Sequence, residues 1–270
     1  MSSINRSGFS RREESLGDWF GTSRGKYVLA WERAQLAAAV EDVFGFRALQ
    51  IGLPQINFLE ANRMPFRFSA GLDRGCDLAA DPVSLPLASA SVDLVVLPHV
   101  LEFSADPHRI LREVERVLMP EGQIVIAGFN PLSLWGLRRK LARRRDLYPW
   151  RGEFIGLARL RDWMKLLGFE VNGGRFGCYA PPFRHRRWLR RFRFMEHAGD
   201  RWWPIAGGVY MMRAVKRTVG MRLVTPNWRN GRAAAKSFVP VAHREPHAAV
   251  HRGGARVLRL IIGGVKDEDR

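Results

Sequence analysis

The amino-acid sequence predicts an α/β fold in which helices cover both faces of a largely parallel sheet. Strand-like apolar runs alternate with segments of helical periodicity through most of residues 27–217. Runs such as VDLVVL at 92–97 are apolar at successive positions, which is typical of parallel strands buried on both faces. The 270 residues are 46% hydrophobic, which suffices for one well-cored domain with extensions.

The first part of the domain is predicted to supply two helices and two strands. Apolar residues recur at helical spacing from Tyr27 to Phe44, so a helix is expected there. The segments RALQIG (47–52) and PFRFSAGL (65–72) are interpreted as strands. Between them, PQINFLEANR (54–63) is expected to form a helix with Pro54 in its first turn.

The helix after Asp106 carries the clearest pattern in the chain. Asp106 is a good N-cap, and Pro107 suits the first helical position. Five apolar residues then form one stripe, which Pro120 and Gly122 end: Ile110, Leu111, Val114, Val117 and Leu118. The remaining predicted elements are a strand at 123–130, a helix at 157–169, and strands over FEVNGGRF (169–176) and GGVYMMRAVKR (207–217).

The composition divides the chain into three predicted parts. These are a flexible N-terminal segment (1–26), a domain at 27–226 with inserts at about 132–156 and 178–206, and a basic, disordered tail at 227–270. Cys76 and Cys178 do not make a disulfide framework, and no Cys/His spacing predicts a metal site. Without a signal-like run or a stretch of ~18 apolar residues, a cytoplasmic protein is expected.

The positive charge is concentrated in one part of the sequence. The chain has 44 Lys and Arg against 26 Asp and Glu, a net charge of +18. Residues 136–217 hold 21 basic and 6 acidic residues, which gives +15 (21 − 6). Such a field attracts polyanions: nucleic acid, an acidic membrane surface or phosphorylated substrates. The alternative is a solvated, arginine-rich surface without a polyanionic partner.

Residues 81–131, DPVSLPLASASVDLVVLPHVLEFSADPHRILREVERVLMPEGQIVIAGFNP, carry a series of linked motifs. In order these are Asp81, Leu85 with Pro86, the strand at 93–96, the segment 99–102, Asp106 with Pro107, and the turn at 118–122. The stretch resembles the class I S-adenosylmethionine-dependent methyltransferases, in the type 11 branch that includes quinone-ring methylases. The AGFNP segment also resembles an uncharacterised bacterial subgroup of that branch.

This resemblance implies a seven-stranded sheet of order 3-2-1-4-5-7-6 with the last strand antiparallel. It also implies S-adenosylmethionine as the cofactor. Ligands of open α/β sheets bind beyond the carboxyl ends of the strands where the strand order reverses. The resemblance therefore places the cofactor near the loops that follow Gly52 and Leu97, and it makes Gly52, Leu97 and His99 expected cofactor contacts.

The loop after the first strand departs from the family pattern. Family members have an acidic residue and then Gly-x-Gly-x-Gly, whose glycines let the backbone approach the methionine part of the cofactor. In this chain Gln50 stands at the acid, Gly52 at the first glycine, and Pro54 and Ile56 at the next two. Gln50 is expected to keep a neutral hydrogen bond to the cofactor, which is weaker than a charge-assisted one.

The resemblance assigns roles to three further residues. Asp73 stands where the family has the acid that binds the ribose hydroxyls, and Asp81 where it has the acid beside adenine. Asp73 is alternatively a turn residue, because only seven residues separate it from Asp81. His99 follows the fourth strand and is the candidate base for an acceptor that must lose a proton. Its alternative role is to line or cap the pocket.

Two segments combine arginines with aromatic residues. They are LRRKLARRRDLYPW, with a basic run from Arg138 to Arg145, and RHRRWLRRFRFMEH, with a run from Arg184 to Arg193. In the second, Trp188, Leu189, Phe192 and Met195 are expected to share one helical face. Such a segment can lie on an anionic membrane surface, bind unpaired nucleic acid, or bury its rings and leave its arginines in water.

Two functional hypotheses follow. The first is a methyltransferase that acts on a small or lipid-like acceptor, either in the cytoplasm or at the inner face of the membrane. The second is a catalytically inactive protein of the same fold that binds nucleic acid or a membrane through its arginines. The altered loop after Gly52 favours the second, and the intact motif series at 81–131 favours the first.

Overall fold

The computed structural model describes residues 15–142, 147–183, 186–192 and 194–217. The predicted tail at 227–270 lies outside these ranges. So do most of the predicted N-terminal segment and parts of both basic runs, including Arg145, Arg184 and Arg193. None of the helices in the described part of the chain has the length and hydropathy needed to cross a bilayer.

Seven α-helices and seven strands lie in the described part of the chain. The helices are α1 (Leu16–Phe20), α2 (Ser23–Glu41), α3 (Pro107–Val117), α4 (Leu134–Leu141), α5 (Leu157–Leu166), α6 (Arg186–Arg191) and α7 (Phe194–Trp202). The strands are β1 (Arg47–Ile51), β2 (Phe66–Gly71), β3 (Leu78–Ala79), β4 (Val92–Pro98), β5 (Leu118–Phe129), β6 (Phe169–Gly177) and β7 (Val209–Lys216).

The strands form one sheet in the order β3-β2-β1-β4-β5-β7-β6. Strands β1 to β5 pair in parallel, and β7 runs antiparallel to both of its neighbours, β5 and β6. This confirms the predicted fold class and strand order. The order reverses between β1 and β4, so the carboxyl ends of these two strands flank the crevice where ligands of such sheets bind.

Each face of the sheet is covered by its own apolar layer. On one face, α1, α2 and the aromatic residues of the first insert pack against β4 and β5. On the other face, the apolar stripe of α3 packs with Leu160 and Met164 of α5. The α3 stripe is buried as predicted, with Asp106 as its N-cap and Pro107 in the first turn. The central strands are therefore apolar along their length because both of their faces are covered.

The N-terminal boundary of the domain lies earlier than the predicted Tyr27. Helix α1 begins after Ser15, whose hydroxyl caps the backbone N–H of Asp18, and α2 begins after Thr22, which caps Gly25 in the same way. The prediction of a flexible segment up to residue 26 is therefore wrong for residues 15–26. Trp19 explains the order of this region, because its side chain is fully buried in the core.

The expected helix at 54–63 is absent, and a loop built by side chains takes its place. Asn57 accepts a hydrogen bond from the N–H of Leu59, and Asn62 donates to the carbonyls of Val40 and Val43. These polar side chains tie the loop to itself and to the end of α2. Local side-chain bonds of this kind compete with the backbone bonds that a helix requires.

The insert predicted at 132–156 packs onto the domain. Its Trp135, Trp150 and Phe154 are buried, and they join Phe129 and Trp19 in one aromatic cluster. The guanidinium of Arg138 lies 5.7 Å from the ring centroid of Trp150. In the described part of this insert, the rings therefore belong to the core.

Candidate functional site

A cavity of about 300 Å³ opens at the carboxyl ends of β1, β2, β3 and β4. This is the edge at which the strand order reverses, and the volume falls in the range of small-ligand pockets. Its walls come from residues 15–17, 52–53, 71–73, 81–83 and 98–100, with Gln55, Phe103, Ser104, Ile110 and Tyr148.

Gly52 lines this cavity in a backbone conformation that favours glycine. Its φ is +76°, a conformation that residues with a side chain rarely adopt. A Cβ built at this position would lie 3.2 Å from Cγ2 of Val100, on the opposite wall. Glycine here keeps open a gap that any larger residue would narrow.

Gln50 does not face the cavity, contrary to its predicted contact with the cofactor. Its buried amide nitrogen donates to the carbonyl oxygens of Gly52, Leu53 and Ile56, at 3.0, 3.0 and 2.8 Å. Its amide oxygen accepts from the N–H of Phe58 at 2.9 Å. The side chain is thus fully used in shaping its own loop. A carboxylate could not donate these hydrogen bonds, which gives a physical reason for an amide at this position.

Pro54 and Ile56 do not fill the cavity. Neither residue belongs to its wall, and Ile56 is buried in the apolar layer beneath the loop. Leu53 lines the cavity and takes a positive φ of 49° without being glycine. The loop therefore departs from the family's glycine pattern while leaving the space above Gly52 open.

The two predicted acids both line the cavity. Asp73 follows β2, and the carbonyl oxygen of Asp73 accepts a hydrogen bond from Cys76 in the turn that leads to β3. Asp81 follows β3, and its carboxylate accepts from the N–H of Val83 at 3.0 Å. The short connection between β2 and β3 contains no helix, so the two acids lie on neighbouring strand ends.

Asp77 lies between these acids in the sequence and has a different role. Its carboxylate accepts hydrogen bonds from the backbone and hydroxyl of Ser69, at 2.8 and 2.7 Å. The bond from the Ser69 hydroxyl is the main cause of the lowered pKa of Asp77. Because Asp77 is absent from the cavity wall, it is a structural carboxylate.

Leu97 was predicted to contact the cofactor, and the structure places it elsewhere. Its side chain is fully buried in the apolar layer that contains α3 and α5. The residues from this strand end that reach the cavity are Pro98, His99 and Val100. Leu97 therefore belongs to the core beneath the strand end and not to the cavity wall.

The imidazole of His99 lies between two carboxylates in the protein interior. Its Nδ1 is 2.9 Å from Glu102 Oε2, and its Nε2 is 2.5 Å from Glu32 Oε1, on α2. All three side chains are buried. Glu102 also accepts a hydrogen bond from the N–H of Phe129, at the end of β5. Within the described ranges, no cluster of such side chains is arranged to hold a metal ion.

This network makes His99 a poor base. Burial alone would lower the pKa of His99, but the charges of Glu32 and Glu102 more than offset it and raise the pKa to about 10. The imidazole is therefore protonated at neutral pH, with both nitrogens occupied. Because its side chain is not exposed, His99 meets the cavity only through its backbone, which has a φ of 56°. The predicted catalytic role of His99 does not fit this geometry.

Several cavity residues were missed by the sequence analysis. Residues 15–17 form one wall, and the rings of Phe103 and Tyr148 contact each other with centroids 5.0 Å apart at another. The wall at 15–17 had a detectable signal, because Ser15 and Asp18 have the spacing of a helix N-cap with an acidic first turn. No sequence pattern indicated Tyr148, since it enters the site from an insert that is distant along the chain.

Comparisons with known proteins bear on the family and the fold of the chain. The family described as "Methyltransferase domain" matches residues 63–126. The chain is 35% identical over 200 residues to the uncharacterized protein YafS of Escherichia coli K12. The alignment covers 73% of this chain and 79% of that protein.

Two solved structures share the fold. A SAM-dependent methyltransferase from Thermotoga maritima superposes with a TM-score of 0.54 at 17% identity, over 74% of this chain and 93% of that one. A SAM-dependent methyltransferase from Archaeoglobus fulgidus superposes with a TM-score of 0.53 at 18% identity, over 73% of this chain and 98% of that one.

The residues present fit the cofactor that this fold implies. The gap above Gly52, which a Cβ would narrow, and the carboxylates of Asp73 and Asp81 lie on one cavity. The matched family and the strand order indicate the same class of protein, and the relative that is 35% identical spans most of the chain. The chain belongs to the class I S-adenosylmethionine-dependent methyltransferases, in the type 11 branch.

Proposed function

We propose that this protein binds S-adenosylmethionine in the cavity above Gly52 and transfers its methyl group to a small or lipid-like acceptor. One observation carries the proposal. Asp73, Asp81 and Gly52 share one open cavity, while Pro54 and Ile56, at the positions of the lost glycines, stay out of it. The altered loop thus preserves the space that an eroded site would have lost.

Each wall of the cavity has a proposed role in holding the cofactor. Asp73 would accept hydrogen bonds from the ribose hydroxyls, and Asp81 would lie on the adenine side. The backbone at Gly52 and Leu53 would face the methionine part. When bound, S-adenosylmethionine supplies an electrophilic methyl group on a sulfonium.

The residues of the chain contribute positioning and the exclusion of water. Leu16, Val100, Phe103 and Tyr148 form apolar parts of the wall, and such walls hold reactants in place and dry. His99 does not remove a proton from the acceptor in this proposal, because it is protonated and bonded to Glu32 and Glu102. We therefore infer an acceptor atom that is nucleophilic without the help of this histidine.

The alternative function is a binding protein that has lost catalysis. Gln50, Pro54 and Ile56 favour it, because all three depart from the family's cofactor loop. The two proposals differ in whether the cavity binds the cofactor at all. That difference is measurable without knowledge of the acceptor.

Calorimetric titration of the full chain with S-adenosylmethionine and with its demethylated product tests the proposal. Saturable one-to-one binding of both is expected, with a micromolar dissociation constant. A Gly52→Val variant, whose side chain would enter the cavity, should bind neither while keeping the circular dichroism spectrum of the wild type. Absence of binding by the wild type at millimolar ligand would instead support the inactive binding protein.

A further inference from the structure

Exposed apolar side chains gather at the edge of the sheet that also carries the cavity. We call them the carboxyl-edge patch: Leu132, Leu134, Trp202, Trp203 and Ile205. Trp202 is 70% exposed and Trp203 62%. Solvent exposure of two neighbouring tryptophans is unusual, and clustered apolar surface of this kind marks an interaction site.

Asn130 holds two parts of the patch together. Its side-chain nitrogen donates to the carbonyl oxygen of Ile205 at 2.7 Å, and its side-chain oxygen accepts from the N–H of Leu132 at 3.0 Å. One buried amide therefore joins the start of the first insert to the end of the second. Leu132 and Ile205, distant in sequence, become neighbours on the surface.

A second group of rings extends this surface. Four rings form a connected group in which the centroids of contacting rings are 5.4 to 6.3 Å apart: Phe183, Trp188, Phe192 and Phe194. Helix α7 links them to the patch, because it begins at Phe194 and ends at Trp202. At 3.6 residues per turn, these two residues are separated by about 80° around the helix. Both are exposed, so one face of α7 joins the two groups.

The charge around these rings is strongly positive. Residues 186–203 contain six arginines and two acidic residues, a net +4 (6 − 2). Arg187, Arg191 and Arg201 are exposed. The acid Glu196 is turned inward, where it accepts hydrogen bonds from the Tyr27 hydroxyl and the N–H of Tyr179. The exposed face therefore combines apolar side chains with cationic ones.

We propose that the carboxyl-edge patch and the adjoining face of α7 dock on the surface of an anionic lipid bilayer. Tryptophan is favoured at the boundary between lipid headgroups and hydrocarbon, and arginines beside it attract anionic headgroups. Binding of unpaired nucleic acid instead requires ring faces that are free to stack on bases. Here Phe192 stacks on both Phe183 and Trp188. In the patch itself, Leu132, Leu134 and Ile205 are exposed but have no ring to stack on a base, so the arrangement favours the bilayer.

The position of this surface has a consequence for the orientation of the domain. Leu132 follows the carboxyl end of β5, and Ile205 precedes β7, which starts at the same edge because it runs antiparallel. Docking would therefore turn the edge that carries the cavity toward the bilayer. The inference does not depend on methyl transfer, since it concerns a surface outside the cavity wall.

Vesicle cosedimentation of the full chain tests the proposal. The protein should sediment with vesicles of phosphatidylcholine containing about 30% phosphatidylglycerol and remain in solution with phosphatidylcholine alone. A Trp202→Ser, Trp203→Ser variant should lose about ten-fold or more of its partition onto the anionic vesicles. Tryptophan fluorescence of the wild type should shift to shorter wavelength on binding, and most of this shift should be lost in the variant.

A matched control removes equally exposed apolar side chains from the opposite edge of the sheet. Phe44 is 77% exposed and precedes β1, and Leu166 is 85% exposed at the end of α5, before β6. A Phe44→Ser, Leu166→Ser variant should partition like the wild type. The proposal would be overturned if the double-tryptophan variant and this control lost vesicle partition equally. It would also be overturned if the wild type did not sediment with anionic vesicles. Tryptophan-dependent binding of a single-stranded oligonucleotide in the absence of vesicle binding would overturn it as well.

Discussion

The amide nitrogen of Gln50 lies 2.8 Å from the carbonyl oxygen of Ile56. This contact fixes Ile56 beneath the loop, where its side chain packs in the core and not in the cavity. Gln50 thus provides by hydrogen bonding a loop shape that glycines provide in the family pattern. We therefore expect the open space above Gly52 to depend on the hydrogen bonds of Gln50.

An acidic residue at position 50, as in the family pattern, should destabilise the folded protein. A Gln50→Glu variant replaces a donor to three carbonyls by a buried carboxylate that can only accept, so we expect a loss of about 2–4 kcal/mol in the free energy of unfolding. Urea denaturation measures this loss. Gln35→Glu, on the half-exposed side of α2, makes the same chemical change and should cost far less. A Gln50→Glu variant as stable as the wild type would refute the structural role of the amide.

Substitution of Gly52 should lower the affinity for the cofactor, whereas backbone strain at a glycine outside the cavity should lower only stability. In Gly52→Ala the new Cβ has a strained positive φ and narrows the gap to Val100, so affinity for S-adenosylhomocysteine should fall about ten-fold or more. Gly75→Ala is the control, because Gly75 also has a positive φ, +101°, but does not line the cavity. It should lower the melting temperature and leave the affinity unchanged. Equal affinities in the two variants would exclude the cavity above Gly52 as the binding site.

The two cavity acids should matter for affinity and not for folding. Asp73→Asn and Asp81→Asn should each weaken cofactor binding about ten-fold, since a charge-assisted hydrogen bond is replaced by a neutral one. The amide at position 81 can still accept from the N–H of Val83, which preserves the turn. Asp77→Asn removes a carboxylate that holds Ser69, so it should reduce stability without changing affinity. Calorimetry and thermal melts distinguish the two effects.

The buried network predicts a dependence of stability on pH. The pKa of His99 is about 10 in the folded protein and about 6.5 in an unfolded chain. A raised pKa means that protonation stabilises the fold. This contribution is complete below pH ~6.5 and is lost as the pH rises through about 10.

A His99→Gln variant should lose this dependence between neutral and alkaline pH. It should also be destabilised at pH 7 by about 3–5 kcal/mol, because Glu32 and Glu102 would be left without their cation. Urea unfolding at several pH values provides the measurement. His108→Gln, at an exposed position on α3, is the control. If the free energy of unfolding of His99→Gln changed with pH as steeply as that of the wild type, the assignment of the charge to His99 would be wrong.

The fold was predictable because its signals are local. Apolar runs and the capped stripe of α3 identify buried strands and a helix without reference to distant residues. Helix α1 and the first turn of α2 were missed because the strongest reason for their order, Trp19, acts through contacts with Phe129 and Trp135. Such contacts between distant residues leave no periodic trace in so short a helix.

The site was predictable only in part, for a related reason. Gly52, Asp73 and Asp81 lie at strand ends that the family pattern locates, and the structure brings them to one cavity. The roles of Gln50 and His99 depend on partners that the sequence does not reveal. Gln50 meets backbone carbonyls of its own loop, and His99 meets Glu32, which lies 67 residues away.

A crystal structure of the protein soaked with S-adenosylmethionine would show whether the cavity above Gly52 holds the cofactor. We predict difference density for the cofactor in the cavity above Gly52, with its ribose beside Asp73 and its adenine toward Asp81, and with the loop held by Gln50 unchanged. An empty cavity at millimolar cofactor, or a loop in which Leu53 or Ile56 fills the space, would contradict the account.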